Sequence, residues 1–466
     1  MAKTALVWFR NDLRIEDNPA LNAALEHGEA TRALYIVETG GDGRERGAAS
    51  KAWLTESLRA LAVSLARRGV TLDLAHGPAK DTLADYVRTN SVDFVFWNRR
   101  YDHAGRSIDT QIKADQTSLG VTVRSFNASL LVEPWDITTK AGGPFSVFTP
   151  FWKALREKEI PRPARVATGS PRIEAPTLDL PAHPAWAKKV LSHWEIGEKS
   201  AAEQLETFIA ERMAGYPDGR DVPGRDTTST LSPYLAFGEI SPRQIWHAVR
   251  HAADQNPSLA SPAEKFLSEI AWREFSYHLL YHRKDISRTP MQERFEKVAW
   301  REDPGRFEAW SQGRTGIPMV DAGMRQLWET GWMHNRVRML VASLLAKNLL
   351  IDWRQGETWF WDTLVDADVA NNPASWQWVA GCGADAAPYF RIFNPVTQGH
   401  RFDPKGDYVR RWVPEVARLD DKHVHDPSAA PRAALEAADI TLGETYPEAI
   451  LDLKGTRERA LEALAR

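Results

Sequence analysis

Cysteine is all but missing from this chain of 466 residues. Cys382 stands alone, which rules out an intrachain disulfide and any Cys-rich zinc site. Net charge is nearly missing too, with 59 Lys and Arg against 62 Asp and Glu, a formal −3. A polyanionic partner would have to be met by a local basic patch. No apolar run is long enough to cross a bilayer, and the longest, residues 339–351, is broken by Lys347 and Asn348. The opening MAKTALVWFR runs straight into a strand pattern and shows no secretory leader. A protein of the reducing cytoplasm is the expectation. Familiar catalytic motifs are scarce as well. Gly41-Asp-Gly43 is followed by Gly47, one position late for G-x-G-x-x-G, and Gly381-Cys-Gly383 lacks the third glycine. There is no Walker loop, no H-E-x-x-H among thirteen histidines and no G-x-S-x-G elbow. Hydrolase, kinase and metalloenzyme readings lose most of their support, and no metal is expected.

Tryptophan is what the chain has in excess: nineteen residues, ten of them between Trp272 and Trp378. Strand-like runs at 5–9, 33–37, 71–75, 94–97 and 121–126 alternate with helical segments, notably 48–68, which ends in Arg67-Arg68-Gly69. Strands joined by helical crossovers imply a parallel, doubly wound sheet, which takes ligands beyond the carboxyl ends of its strands. From 133 to about 190 prolines such as Pro144, Pro150, Pro161, Pro163 and Pro171 break every periodic run, as in a connection laid over a surface. From about Ile196 the pattern is helical, with the clearest helices over 263–283 and 335–350.

Four segments concentrate chemistry. Thr227, Thr228, Ser229, Thr230 and Ser232 form a hydroxyl run that can satisfy phosphate oxygens, or simply cap the helix starting at Ser232. Glu269, Trp272, Arg273 and Ser276 share one helical face at i, i+3, i+4 and i+7. A solvated salt-bridged stripe has that spacing, but an indole within a polar face suits the wall of a wet pocket. In the segment 331–339, Asn335 and Met339 share a face flanked by Arg336 and Arg338, fit for a flat aromatic ligand or for core packing. Residues 366–378 combine Asp366, Asp368, Asn371, Asn372, Trp376 and Trp378, which alone would read as a loop capping a helix.

In order, these segments resemble the photolyase/cryptochrome family: Thr228-Ser229-x-Leu231-Ser232, Glu269-x-x-Trp272-Arg273-Glu274-Phe275, Trp332-Met333-His334-Asn335-Arg336-x-Arg338-Met339, Asp366-x-Asp368-x-Ala370-Asn371-Asn372 and Trp376-Gln377-Trp378. The opening Trp8-Phe9-Arg10-Asn11-Asp12-Leu13-Arg14 and the run Pro388-Tyr389-Phe390-Arg391-Ile392-Phe393-Asn394-Pro395 belong to the same resemblance, which spans essentially the whole chain. It implies an α/β plus all-α organisation: an antenna domain over 1–132, a linker over 133–195 and a helical domain over 196–466 that buries flavin adenine dinucleotide (FAD). By motif position, Tyr216, Thr228, Ser229, Thr230, Leu231 and Ser232 would hold the phosphates and ribityl chain. Phe266, Glu269, Arg273, Trp332 and Asn335 complete the implied cofactor contacts. Arg338 would face the flavin ring and pair with Asp366, with Asp368 alongside, and a fixed positive charge there favours the anionic reduced flavin. Asn372 would sit opposite the reactive ring nitrogen, where an amide cannot supply a proton as an Asp can.

The resemblance further implies light-driven repair of cyclobutane pyrimidine dimers in ultraviolet-damaged DNA by a monomer, with a bacterial class III or class I enzyme as the nearest kind. Glu269 would bond the dimer's base edge, Trp272 and Trp378 would wall it, and Asn335 and Met339 would complete the pocket. The (6-4) branch carries histidines at those last two positions. Excited reduced flavin gives an electron to the flipped-out dimer, the ring splits and the electron returns. Trp376, Trp353 and Trp300 match the family's three-tryptophan relay, while Trp359 and Trp361 are read as packing. Arg220, Arg336, Arg391 and Arg401 match phosphate contacts. The antenna is expected to be 5,10-methenyltetrahydrofolate, with a deazaflavin as the alternative and Glu38, at the end of the second strand, as its ligand. A cryptochrome-type blue-light receptor without repair activity is the competing reading.

Overall fold

The computed structural model describes residues 3–40, 43–169, 171–386, 388 and 391–464. Gly41 and Asp42 of the near-miss glycine motif, and Tyr389 and Phe390 of the 388–395 run, lie outside them. The chain forms two compact units: residues 1–214 with 229–284, and residues 215–228 with 285–466. Division at 132 and 195 follows secondary-structure class, whereas these units follow compactness.

In the first unit, β1 (Thr4–Phe9), β2 (Ala30–Glu38), β3 (Thr71–Gly77), β4 (Phe94–Asn98) and β5 (Thr122–Phe126) form an all-parallel sheet in the order β3-β2-β1-β4-β5. Each strand ends within three residues of its sequence expectation. The central strand β1 is buried from Ala5 to Phe9, as a strand covered on both faces must be. Helices Pro19–His27, Ala48–Ala66, Ala79–Thr89 and His103–Ser118 make the crossovers. The strand order reverses between β1 and β4, which opens a crevice at their carboxyl ends.

The proline-rich stretch is tied down by side chains of the sheet domain. Asn22 bonds Arg165 and Ala167, and Ile173 donates to Ala66. Fully buried Asp17 accepts from the Ala164 amide through one oxygen and from Ser241 and Arg243 through the other, so one carboxylate joins three distant segments.

In the second unit, helices Pro304–Ser311, Pro318–Thr330, Asn335–Ser343, Trp353–Thr363 and Asn371–Ala380 surround one apolar core. The helix expected over 335–350 changes character at Ser343, and Leu344–Asn348 forms a π-helical turn. The wider turn carries Lys347 and Asn348 inward, where Lys347 Nζ donates to the Arg391 carbonyl (2.9 Å) and Asn348 to Thr456 (3.0 Å). The two polar residues that broke the apolar run are thus buried with their side-chain nitrogens bonded. Among the described residues no helix is long and apolar enough to cross a membrane.

One glycine is demanded by close approach. Gly238 closes the short helix Ser232–Phe237 at φ +67°, and a Cβ there would lie 2.1 Å from the Asn11 carbonyl oxygen. Backbone cannot withdraw as a side chain can, so Gly238→Ala is expected to lower the unfolding free energy by at least about 2 kcal/mol in urea titration.

Candidate functional site

In the first unit the Ala260–His282 helix carries Glu269, Trp272 and Arg273. Trp272 is half-buried and stacked on Phe148, with centroids 3.8 Å apart and planes 9° off parallel. Phe148 opens the Phe148–Arg156 helix and holds the indole flat from behind. Glu269, one turn before Trp272, keeps a partly exposed carboxylate with Lys265 Nζ 3.5 Å away. Arg273 bonds the Ser129 carbonyl (2.8 Å) and Glu274 (3.2 Å) and lies over Tyr277. Burial pushes the Glu274 carboxyl up to about 7 despite that guanidinium. Phe266 packs against Phe208 at 4.4 Å.

The hydroxyl run does not cap its helix by side chain: Leu231 holds the cap position without a side-chain bond. Gln204 instead bonds both the Ser229 carbonyl (2.9 Å) and the Thr230 hydroxyl (2.6 Å). Thr230 sits at φ +50°, a conformation L-residues adopt only when their surroundings hold them.

Also in the first unit, the crevice at β1 and β4 is lined by charge. Glu38 takes Arg100 at 2.6 Å, Arg100 takes Asp109 at 2.7 Å, and Asp109 takes Arg10 at 3.2 Å. Both guanidinium groups lie over Trp8. Arg10 Nε, Trp8 Nε1 and Asn98 Oδ1 are buried there without a protein partner. The Glu38 carboxylate therefore stands in an arginine-bonded cluster at the ligand end of the sheet.

In the second unit His334 starts the Asn335–Ser343 helix, its Nδ1 accepting the Arg336 amide at 3.1 Å. Exposed Asn335 and half-buried Met339 follow on one face, one turn apart. Arg338 grips Asp366 with both terminal nitrogens, at 3.1 and 2.8 Å, and donates from Nε to the Met333 carbonyl (2.7 Å). Its guanidinium also lies 5.9 Å from the Trp332 ring. Asp368 accepts from the Ala370 and Asn371 amides and the Asn371 side chain. The capping reading of this loop thus holds for Asp368, while Asp366 serves Arg338.

Asn372 is buried on the next turn. Its amide nitrogen donates to Glu357 twice, to the carbonyl (3.0 Å) and the carboxylate (2.8 Å). Two acceptors fix the orientation of the amide, so its carbonyl oxygen remains the group offered to a ligand. Trp376 lies against Gly356, where a Cβ would meet its ring at 2.2 Å. Gly356 is one turn beyond Trp353, so both indoles belong to the same helix face and its neighbour. Trp376 is 2% exposed and Trp353 1%, and Trp300 is partly exposed. Gln377 points the other way and ties down Ile286, Thr289 and Met291. Trp378 is half-buried on the core.

Three of the four expected phosphate-contacting arginines meet in one cavity of about 400 Å³ in the second unit, lined by Arg336, Arg391, Arg401, Asn394, Gln398 and Phe402 among others. Arg336 and Arg401 both lie over the Phe402 ring, at 4.5 and 4.9 Å, and Arg391 over Phe393 at 5.4 Å. Asp221 offsets Arg336 (2.8 Å), but among the described residues Arg391 and Arg401 have no carboxylate partner. Arg220 lies apart from this lining, over Tyr216 at 5.5 Å and 3.8 Å from Asp221.

Phe148, Gln204, Glu357 and Gln377 are the positioning side chains that sequence reasoning missed. Only Gln377 carried a signal, as a polar residue fixed between two tryptophans.

Residues 266–466 match the family described as the FAD binding domain of DNA photolyase, and residues 5–168 match DNA photolyase. The chain is 49% identical to the deoxyribodipyrimidine photo-lyase of Agrobacterium fabrum, covering 99% of this chain and 98% of that protein. It is 37% identical to cryptochrome-1 of Arabidopsis thaliana, covering 99% of this chain and 70% of that one. The solved bacterial class III photolyase from Agrobacterium tumefaciens superposes with a TM-score of 0.95 at 47% identity, covering 100% of this chain and 98% of that one. The chain belongs to the photolyase/cryptochrome family.

Burial holds the His334 imidazole neutral, lowering its pKa from 6.5 to about 4. The unfolded chain protonates this group near 6.5, so its contribution to stability is full above that pH and is lost as pH falls toward 4. His334→Asn keeps a capping acceptor and removes the titration. The stability of wild type relative to that variant is expected to fall by up to about 3 kcal/mol between pH 7 and pH 4 in denaturant melts.

Proposed function

We propose that this chain is a light-driven DNA photolyase that repairs cyclobutane pyrimidine dimers with FAD. The observation that carries the lesion assignment is the Trp272 indole, held flat on Phe148 with the Glu269 carboxylate one helical turn away. A flat apolar wall beside an acceptor suits a flipped-out dimer, which offers a broad hydrophobic face and N–H donors at its base edge. In this reading Trp378, Asn335 and Met339 complete the lesion contacts.

FAD fits the donor set. A guanidinium–carboxylate pair presents donors and an acceptor together, as the imide edge of a flavin ring requires, and Asn372 offers a lone carbonyl oxygen. Thr227 Oγ1, buried without a protein partner, adds an unsatisfied hydroxyl beside the proposed phosphate-binding run. The residues proposed to hold FAD are Ser229, Thr230, Leu231, Ser232, Phe266, Glu269 and Arg273 of the first unit, and Tyr216, Thr228, Trp332, Asn335, Arg338, Asp366, Asp368 and Asn372 of the second. When bound and reduced, FAD supplies the photoexcited electron that opens the cyclobutane ring and receives it back. The fixed charge of Arg338 favours the anionic reduced state, and the Asn372 amide can accept a hydrogen bond but not deliver a proton. Trp376, Trp353 and Trp300 would carry electrons inward when the cofactor must be reduced again. Glu38 is proposed as an antenna ligand and 5,10-methenyltetrahydrofolate as the antenna, supported by the polar cluster at the strand ends.

DNA binding falls to arginines braced on aromatic rings, Arg336, Arg391 and Arg401, with Arg220 linked to Arg336 through Asp221. On a chain of net charge −3, so local a basic pocket is what a phosphate backbone requires.

The test is splitting of a defined thymine dimer in single- and double-stranded DNA, lit and dark. Light-dependent splitting is expected, and none would sink the photolyase reading, leaving a blue-light receptor. Glu269→Ala is expected to lower repair per absorbed photon several-fold while DNA affinity stays within about twofold. Arg401→Ala is expected to weaken binding to damaged and intact DNA alike and to reduce the slope of log K against log salt by about 0.9.

A further inference from the structure

The arginine pocket of the second unit has one acidic side chain among its described lining residues, Asp221. It follows the four-residue helix Tyr216–Gly219, on the short segment 215–228 that belongs with residues 285–466. Its Oδ2 meets a terminal nitrogen of Arg336 at 2.8 Å, and its Oδ1 lies 3.8 Å from Arg220 Nε. Two of the four arginines assigned to phosphate contact therefore already face an anion in the free protein. Arg391 and Arg401 share the same lining.

A structural ion pair in this unit looks different. The Asp366 side chain is 2% exposed and takes both terminal nitrogens of Arg338. Asp221 is 34% exposed, and the Nε of its partner Arg336 stays buried without a protein partner. A pair so open to water holds little free energy and exchanges readily. Arg336 has a second support in the Phe402 ring, 4.5 Å away. Its brace is thus available without Asp221, whose charge borders the space a phosphate must enter.

We propose that Asp221 is a built-in competitor for the DNA backbone: it holds Arg336 until a phosphate displaces it, which weakens binding to every DNA and hastens release of the repaired strand. The proposal rests on the reading of this pocket as the phosphate-binding face of a photolyase. A phosphate that takes Arg336 must break an existing ion pair, and the carboxylate left beside it repels the newcomer. Binding to intact DNA rests on phosphate contacts, whereas a damaged strand adds the flipped-out dimer. Repaired product is itself intact DNA. A tempered grip on the backbone therefore shortens the time spent on product and on undamaged sequence, while the dimer's own contacts are untouched.

Asp221→Asn keeps the shape and removes the charge, and Asp221→Ala removes the charge with less bulk. Circular dichroism and the absorbance of bound FAD identify variants that are folded and loaded. Such a variant is expected to bind an intact duplex oligonucleotide about three- to tenfold tighter than wild type at low salt. The slope of log K against log salt is expected to steepen by up to about 0.9. With a dimer-bearing oligonucleotide in excess intact DNA, repeated turnover is expected to slow about threefold relative to the variant's own single-turnover yield. Unchanged or weaker binding to intact DNA overturns the competitor role and assigns Asp221 to bracing Arg336, while light-dependent dimer splitting keeps the photolyase reading. Tighter binding without slower turnover overturns the role in release. Loss of folding in both variants overturns the proposal as well, since a competitor is dispensable to the fold. A wild type that splits no dimer in light overturns the photolyase reading and this proposal with it.

Discussion

Burial of the Asp366 carboxylate is the condition on which the second unit's chemistry depends. Its side chain is 2% exposed, and Arg338, by meeting both of its oxygens, makes a charge so enclosed tolerable. That grip joins the Asn335–Ser343 helix to the loop before the Asn371–Ala380 helix. Two residues on, Asp368 bonds the first amides of that helix and fixes its start. Helical geometry then distributes the rest: Asn372 onto Glu357, Trp376 onto Gly356, Gln377 toward residues 286–291 and Trp378 outward. Removing the guanidinium would take two hydrogen bonds from a buried charge and release the starting point of every one of these contacts.

The first unit solves a related problem with a different device. Trp272 stands on a helix whose other face is core, and on its own element Phe275 meets the indole only edge-on, 5.9 Å away. Phe148, stacked on it at 3.8 Å, supplies the constraint from a helix that opens in the proline-rich stretch. That stretch is in turn bonded to the sheet domain at Asn22 and Asp17. A segment that reads as a connection is therefore also a strut, and its rigidity is transmitted to a candidate lesion contact.

Much of this was legible in the sequence, for reasons that can be named. Strand β1 announced itself as a continuous apolar run, and its burial from Ala5 to Phe9 is what a two-faced parallel strand requires. The pairing of Arg338 with Asp366 followed from the family resemblance, across 28 residues. What escaped notice depends on contacts that periodicity cannot see. Phe148 and Trp272 are far apart in sequence, and nothing local to either marks the stack. Glu357 lies within an ordinary helix, and only the turn that brings Asn372 beside it gives it meaning. The helix over 335–350 was overextended because an apolar pattern reports burial and not the hydrogen-bond ladder. A π-helical turn keeps the burial while turning Lys347 inward to the Arg391 carbonyl.

The tryptophan excess divides along physical lines rather than along the chain. Trp8, Trp53 and Trp97 are buried in the first unit, where Trp8 and Trp97 lie under the Arg10 guanidinium and Trp53 donates to Glu239, so packing and polar contact share them. In the second unit burial and hydrogen bonding separate. Trp310 packs in the core with its N–H directed to a backbone carbonyl, whereas the Trp376 N–H is buried with no protein partner at all. The Trp376 indole has no acceptor able to take its proton, so an electron removed there leaves a positive charge that can only be neutralised by another electron arriving from outside. At an exposed end water is present to take the proton. Enclosure at the centre and exposure at the rim therefore give a series of identical side chains a direction, and that direction needs no difference in residue type. Residues 300 to 376 can thus use one amino acid for packing and for the proposed conduction, because what distinguishes the two uses is solvent access and the company of the indole nitrogen.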